Sequence, residues 1–341
     1  MQRKTTTKRA KPRLRIGLVY DLRADYLSMG YGPEEVGEFD SVSTINELDK
    51  ALTALGYRVE RIGHGRRLAE FLVAGRRWDL VFTIAEGLYG RSREAQVPAL
   101  LELYGQLYTF SDPLTSAVTL DKAVSKRLVA AAGLYTPPFA VIERPADLRS
   151  VKLAYPVFAK PIAEGTGKGV DSASRIDNAR QLATVCTRLL KQYRQPVLVE
   201  EYLPGREFTT AILGTGPDAE VLGTMEMTIL EGAPAKDYSF EVKEMCEKYV
   251  HYFEMPRGRL RKEVEKLALG SYRALECRDT SRVDTRLDRE GKPAFLEVNP
   301  LPGLHPSHSD LPMIATQQGM PYVELIGRIV NSALKRKEPI K

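Results

Sequence analysis

The spacing of apolar positions changes repeatedly along the chain, and each change marks an element. Residues 14–20 form a short, largely apolar run and predict a buried first strand. Ile45, Leu48, Leu52 and Leu55 then recur at helical spacing and stop at Gly56, which predicts a helix over 43–55. Strands follow at 57–62, 78–84 and 107–110, with helices at 68–74 and around 100–104. Residues 21–40, with Gly30, Gly32, Pro33 and Gly37, read as one long polar loop. Alternation of strand and helix predicts a parallel α/β sheet. Ligands of such sheets lie beyond the carboxyl ends of the strands, where Glu86-Gly87 and the segment 90–94 fall.

From residue 119 the pattern is different. A helix is expected over 123–132, strands at 139–142 and 155–161, a helix at 177–193 and a strand from 197. Antiparallel strands follow at 208–213 and 220–229, an irregular stretch of mixed charge at 235–256, and helices at 260–275 and 325–334. No internal repeat is visible.

Residues 282–287 and 294–299 alternate polar and apolar side chains around a turn rich in charge, Gly291 and Pro293, and predict a β-hairpin. Centring the turn between Glu290 and Gly291 sets Asp284 opposite Glu297 and Arg282 opposite Asn299. The two-residue period puts all four on one face. Carboxylates directly across a ladder repel, and a cation between them removes the conflict. Asp, Glu and Asn offer hard oxygen donors suited to Mg²⁺, and Arg282 would face an anion. A solvated polar strand face explains the same pattern. The loop after the hairpin, Asn299 to Gly303, leads to His305, Ser307, His308 and Ser309.

Two more stretches carry chemistry. Lys160, near the end of a strand, precedes Glu164-Gly165-Thr166-Gly167-Lys168-Gly169. Such a loop lays backbone N–H groups on phosphates and folds down as a lid. It is not a Walker A loop, because no glycine stands at the required distance before Gly167-Lys168 and no Ser or Thr follows. Glu200-Glu201 ends a strand before Pro204-Gly205, a hinge at which Glu200 and the backbone could face a base and Glu207 a ribose. An exposed strand end is the plainer alternative.

Composition bounds the rest. With 341 residues, 43% hydrophobic and 28% charged, the chain reads as a soluble enzyme of two or three domains. The divisions expected are a disordered basic tail over 1–12, an N-terminal α/β substrate domain over 13–118, a central lid subdomain over 119–205, and a C-terminal domain with the metal and substrate site over 206–341. No apolar run approaches the roughly 20 residues of a membrane span. Cys186, Cys246 and Cys277 show neither paired nor metal-type spacing, which fits the reducing cytoplasm. Seven Lys and Arg side chains and no acid lie within residues 1–15. Without them the +6 of the whole chain becomes about −1. The basicity belongs to the leader, so no nucleic-acid partner is expected.

Taken in order, Asp121-Lys122, Lys160 with its glycine loop, Glu200 to Glu207, Asp284 and Glu297-Val298-Asn299 resemble the ATP-grasp superfamily, most closely the D-alanine–D-alanine ligase family. Glu297 to Gly303 is similar to that family's signature, and the likeness spans nearly the whole chain. It implies a mixed α/β and α+β architecture: an ATP-grasp fold behind an N-terminal parallel α/β domain. It also implies a C–N bond-forming enzyme that joins amino acids through an acyl phosphate, with ATP and two Mg²⁺ ions (Mn²⁺ as a substitute), most often as a homodimer. By this resemblance Lys122 and Lys160 hold the ATP phosphates, and Gly165, Thr166 and Gly167 close over the γ-phosphate. Glu200, Glu201 and the backbone at Leu203 read adenine, and Glu207 the ribose. Asp284, Glu297 and Asn299 bind metal. Arg282 steadies the oxyanion, with Lys243 and Gly303 beside it in catalysis. Glu86, His308 and Ser309 meet the amino acids.

The chain also departs from the family. Gly165 to Gly169 stands where Gly-Ser-Ser is usual. Glu244 replaces a tyrosine at the end of the mobile-loop pattern 238–244, and Glu86-Gly87 replaces His-Gly. The nucleotide half matches and the amino-acid half is altered, so a relative making another amide stands beside an authentic D-alanine–D-alanine ligase of cell-wall synthesis. The rival from another class is a non-catalytic nucleotide-binding regulatory protein.

Overall fold

The computed structural model describes residues 13–233 and 245–336. Its first sheet is parallel, in the order β2-β1-β3, from β1 (Arg15–Val19), β2 (Arg58–Gly63) and β3 (Leu80–Thr83). The helix Val42–Ala54 buries Ile45, Leu48 and Leu52 against it, and Ser41 caps that helix by accepting the Thr44 N–H at 3.2 Å. Two local expectations change here. Residues 107–110 give only a bridge, Tyr108 to Val81, because Phe110 turns into left-handed backbone at φ +70° and the chain leaves the sheet. The expected loop 21–40 contains a short helix, Arg23–Ser28, that buries no side chain and therefore leaves no apolar period to read.

The second sheet is antiparallel, in the order β4-β7-β5-β6, from β4 (Phe139–Ile142), β5 (Val157–Pro161), β6 (Arg175–Ile176) and β7 (Val197–Glu201). The helix Ala179–Tyr193 covers it with Leu182, Val185, Cys186 and Leu189.

The third sheet has five antiparallel strands in the order β10-β9-β8-β11-β12: β8 (Glu207–Leu213), β9 (Glu220–Ile229), β10 (Val250–Glu254), β11 (Thr280–Leu287) and β12 (Pro293–Asn299). The expected irregular stretch 235–256 is thus partly regular. Cys246–Tyr249 is a helical turn, and β10 pairs along the edge of β9. The helix Arg259–Ala274 packs on β11 and β12 through Leu267, Ala268 and Tyr272. The helices Asp310–Gln317, which the sequence pattern did not predict, and Tyr322–Lys335 share one core with β1 and the helix Val42–Ala54. That shared core joins the first sheet to the third. Among the described residues no helix is long and apolar enough to cross a membrane.

The hairpin has the expected register: Arg282 pairs with Asn299 and Asp284 with Glu297. Beyond them the ladder shifts to Thr285–Phe295, so Leu296 is an extra residue in β12. This bulge lies next to the polar face, where such kinks commonly re-aim side chains.

Candidate active site

A cleft of about 120 Å³ lies between the second and third sheets, lined from β5, β7, β8, β11 and β12. Lys122, Glu164, Gly165, Thr166, Arg282 and Glu297 also line a larger cavity of about 770 Å³ that reaches the loops of the first sheet. The two spaces therefore meet at the glycine loop and the hairpin.

Alternation along β5 and β7 turns Lys160 and Glu200 into the cleft. Lys160 Nζ lies 2.9 Å from Glu200 Oε1, and Lys126 Nζ lies 2.8 Å from Oε2. Lys126 is fully buried and donates to Thr136 Oγ1 and the Phe295 carbonyl, each at 3.0 Å. Burial pushes the Glu200 carboxyl up, but the two ammonium groups outweigh it and hold it at about 2. Burial in turn lowers Lys126 to about 8, against the pull of Glu200. Both oxygens of Glu200 are thus engaged by lysines, a different arrangement from the adenine contact that the resemblance implied.

On the hairpin face Asp284 is 6% exposed. Its Oδ1 accepts the Thr209 hydroxyl at 2.9 Å, and its Oδ2 accepts the Asn299 amide at 3.2 Å. Arg282 lies 3.6 Å from Asp284 and forms an ion pair with Asp310. Glu297 lies 3.3 Å from Lys122, whose Nζ also donates to the Glu164 carbonyl at 2.6 Å. Burial raises the Asp284 carboxyl to about 6; Arg282 opposes this, while Glu297 and Asp310 add to it. Burial also raises Glu297, but Lys122, Lys160 and Arg282 prevail and hold it at about 2. Two carboxylates and one amide oxygen on one face are a hard-oxygen set that fits Mg²⁺. Among the described residues no three His, Cys, Asp or Glu side chains form a metal cluster.

The glycine loop is latched to the first sheet's loops through Glu38. The Gly165 N–H donates to Glu38 Oε1 at 2.7 Å, Arg93 Nη2 donates to both oxygens at 3.0 and 2.8 Å, and Lys168 Nζ lies 3.2 Å away. Burial raises the Glu38 carboxyl, but Arg93 and Lys168 prevail and lower it. Thr166 and Gly167 have φ +51° and +71°, a succession of left-handed residues that turns the loop sharply. Thr166 Oγ1 is buried without a hydrogen-bond partner.

The larger cavity is lined by Glu86, Gly303, His308 and Ser309, with Asp40 and Glu94. Ser309 Oγ accepts the His305 N–H at 3.0 Å, and a Cβ on Gly303 would stand 2.7 Å from that same oxygen. His308 Nδ1 lies 3.1 Å from Glu247 Oε1.

A family model described as D-ala D-ala ligase C-terminus matches residues 128–331. The chain belongs to the D-alanine–D-alanine ligase family. It is 34% identical over 309 residues to the D-alanine–D-alanine ligase of Bordetella petrii, covering 89% of this chain and 90% of that one. An uncharacterised protein of Sinorhizobium fredii is 36% identical over 264 residues, 75% of each chain. Among solved structures, the Bacillus anthracis D-alanine–D-alanine ligase complexed with ATP superposes with a TM-score of 0.74 at 23% identity, over 95% of this chain and 98% of that one. The VanG D-Ala:D-Ser ligase of Enterococcus faecalis gives 0.74 at 20% identity, over 94% and 100%. The expected mixed α/β and α+β ATP-grasp architecture therefore stands.

Within this family member, the residues expected at the nucleotide, Lys122, Lys160, Gly165, Thr166, Gly167, Glu200, Glu201, Leu203 and Glu207, all line the smaller cleft, together with Arg282, Asp284 and Glu297. Asn299, Gly303, Glu86, His308 and Ser309 line the larger cavity. Lys243 and the pattern 238–244 lie outside the described residues. Sequence reasoning passed over Lys126, Glu38, Asp40 and Asp310, and reached Arg93 and Glu94 only as part of the segment 90–94 beyond the strand ends. Lys126 was legible in principle, as a lysine on the apolar side of a helix. Nothing linked Glu38 to Arg93 in the sequence, because what unites them is a contact across 55 residues.

Proposed function

We propose that this protein is an ATP-dependent carboxylate–amine ligase joining amino acids, with ADP and phosphate as co-products. The observation that carries the reading is the hairpin face: Asp284 opposite Glu297, with Arg282, Lys122 and Lys160 around the same cleft. The substrate carboxylate attacks the γ-phosphorus of ATP, giving an acyl phosphate and ADP. The second substrate's amine then attacks the acyl carbon, phosphate leaves, and the amine's proton is lost. Lys122 and Lys160 neutralise the phosphate oxygens, and Arg282 faces the oxyanion of the tetrahedral intermediate. The glycine loop excludes water from the acyl phosphate. Asp284, Glu297 and Asn299 would hold Mg²⁺, which supplies further charge neutralisation at the phosphates when bound. Glu201 and the backbone at Leu203 face adenine, Glu207 faces the ribose, and Glu200 fixes Lys160.

The three-part division at 118 and 205, the cytoplasmic setting and the homodimer belong to the same proposal. Light scattering of the full chain tests the last. The central experiment is phosphate release from Mg·ATP against a panel of single amino acids and pairs. Release with dipeptide formation supports the ligase. ATP binding without release for any pair favours a nucleotide-binding regulator. The Bordetella petrii relative favours including D-alanine, and release with D-alanine alone would make this an authentic D-alanine–D-alanine ligase.

A further inference from the structure

We propose that one amino acid substrate carries a second positive charge, an ammonium or guanidinium group on its side chain, and that Glu94 and Glu86 receive it. This rests on the ligase reading and narrows its substrate class.

Glu94 is 8% exposed and lines the cavity of about 770 Å³. Among the described residues its carboxylate has no hydrogen bond and no ion pair, and neither has that of Glu86 on the same wall. The backbone builds their proximity. Gly87 has φ +70°, and a Cβ there would stand 2.8 Å from the Arg93 carbonyl oxygen, so the residue after Glu86 is pressed against the one before Glu94. The neighbouring cations are engaged elsewhere. Arg93 holds Glu38 and the Ala163 carbonyl, Lys122 holds Glu297, and Arg91 holds Asp121.

Two carboxylates left unpaired at an enclosed wall are unfavourable, and a cation brought by a ligand relieves that. Burial and the Glu94 charge push Glu86 well above the ordinary carboxylate range, and burial lifts Glu94 to about 7, in each case against the pull of Arg93 and, at Glu94, of Lys122. Asp40 faces the same cavity, hydrogen-bonded to Thr44. A neutral amino acid brings a single ammonium, which leaves one of Glu86 and Glu94 without a partner. A lysine-like or shorter diamino acid fills the deficit.

The test compares D- and L-lysine, ornithine and 2,4-diaminobutyrate with uncharged isosteres such as norleucine, each paired with D-alanine and Mg·ATP. A charge-assisted hydrogen bond predicts a kcat/KM preference for the cationic substrate of about 10-fold or more. Glu94→Gln should erase that preference chiefly through KM for the cationic member. Equal or better turnover of the isosteres overturns the inference and leaves the ligase standing. If no pair releases phosphate, the ligase reading fails on its own, and calorimetry with lysine and norleucine decides this one. Tighter lysine binding that Glu94→Gln abolishes supports it, and equal binding overturns it.

Discussion

Glu200 grips two lysines at once, Lys126 at 2.8 Å and Lys160 at 2.9 Å. Two ammonium groups share one buried carboxylate, so its removal strands both. Glu200→Gln should cost about 3–5 kcal/mol of stability, as breaking a buried pair does. The pH dependence has a definite sign. The folded carboxyl is held at about 2, below its ordinary 4.5, so its stabilisation is complete above pH 4.5 and lost as pH falls toward 2. Urea unfolding of both proteins checks this: the stability gap should be widest above pH 5 and close through that window. A gap that stays flat down to pH 2.5 would count against the pairing.

Asp284→Asn keeps the side-chain shape and an acceptor for Thr209, so the fold should hold. What it removes is one negative oxygen of the proposed Mg²⁺ set. Turnover at saturating ATP should fall by about 10² to 10³, by analogy with loss of one preorganised charged contact. Circular dichroism should be unchanged. Normal Mg²⁺-dependent phosphate release by this variant would sink the assignment.

Glu38 reaches from the loops of the first sheet to the backbone of Gly165, so it decides how tightly the glycine loop is held down. Glu38→Gln weakens its grip on Arg93 and Lys168 together. Lys168, 6% exposed, should become accessible to trypsin. Losing about 1.4 kcal/mol of that hold speeds cleavage about tenfold where opening precedes cutting. Cleavage after Lys168 at the wild-type rate would show that the loop is held by other contacts.

Much of the candidate site's geometry was legible because its parts are local. Asp284 and Glu297 could be set opposite each other from the turn between them and a period of two, and the ladder has that register. The Leu296 bulge was invisible, since one extra residue leaves the alternation of its neighbours readable on either side. The parallel first sheet followed from alternating elements, whereas the helix Arg23–Ser28 buries nothing and so wrote no apolar period. The helix Asp310–Gln317 is only eight residues long, with Pro312 in its first turn, and its length gave periodicity little to show. Long-range partners were the main omission. Lys126 meets Glu200 and Phe295 from a distant helix, and Arg93 finds Glu38 across 55 residues of chain. Such pairs are decided by packing, and a single sequence does not encode them at any fixed spacing.

The basic leader gives the last prediction. Seven positive charges without an acid lie in residues 1–15, while the groups proposed for catalysis all lie from Lys122 onward, with the acids of the first sheet's loops proposed for substrate. A ligase that works through the cleft has no use for that charge at the reacting centre. Deleting residues 1–12 should leave kcat and KM for ATP within about twofold of the full chain, because no residue proposed for catalysis or binding lies within them. A protein acting through its tail behaves differently: its affinity for a polyanion such as heparin would collapse on deletion and fall steeply with salt. Steady-state turnover of the truncated and full chains at two ionic strengths separates the two. A deletion that removes turnover while ATP still binds would require the leader to be part of the enzyme's working structure.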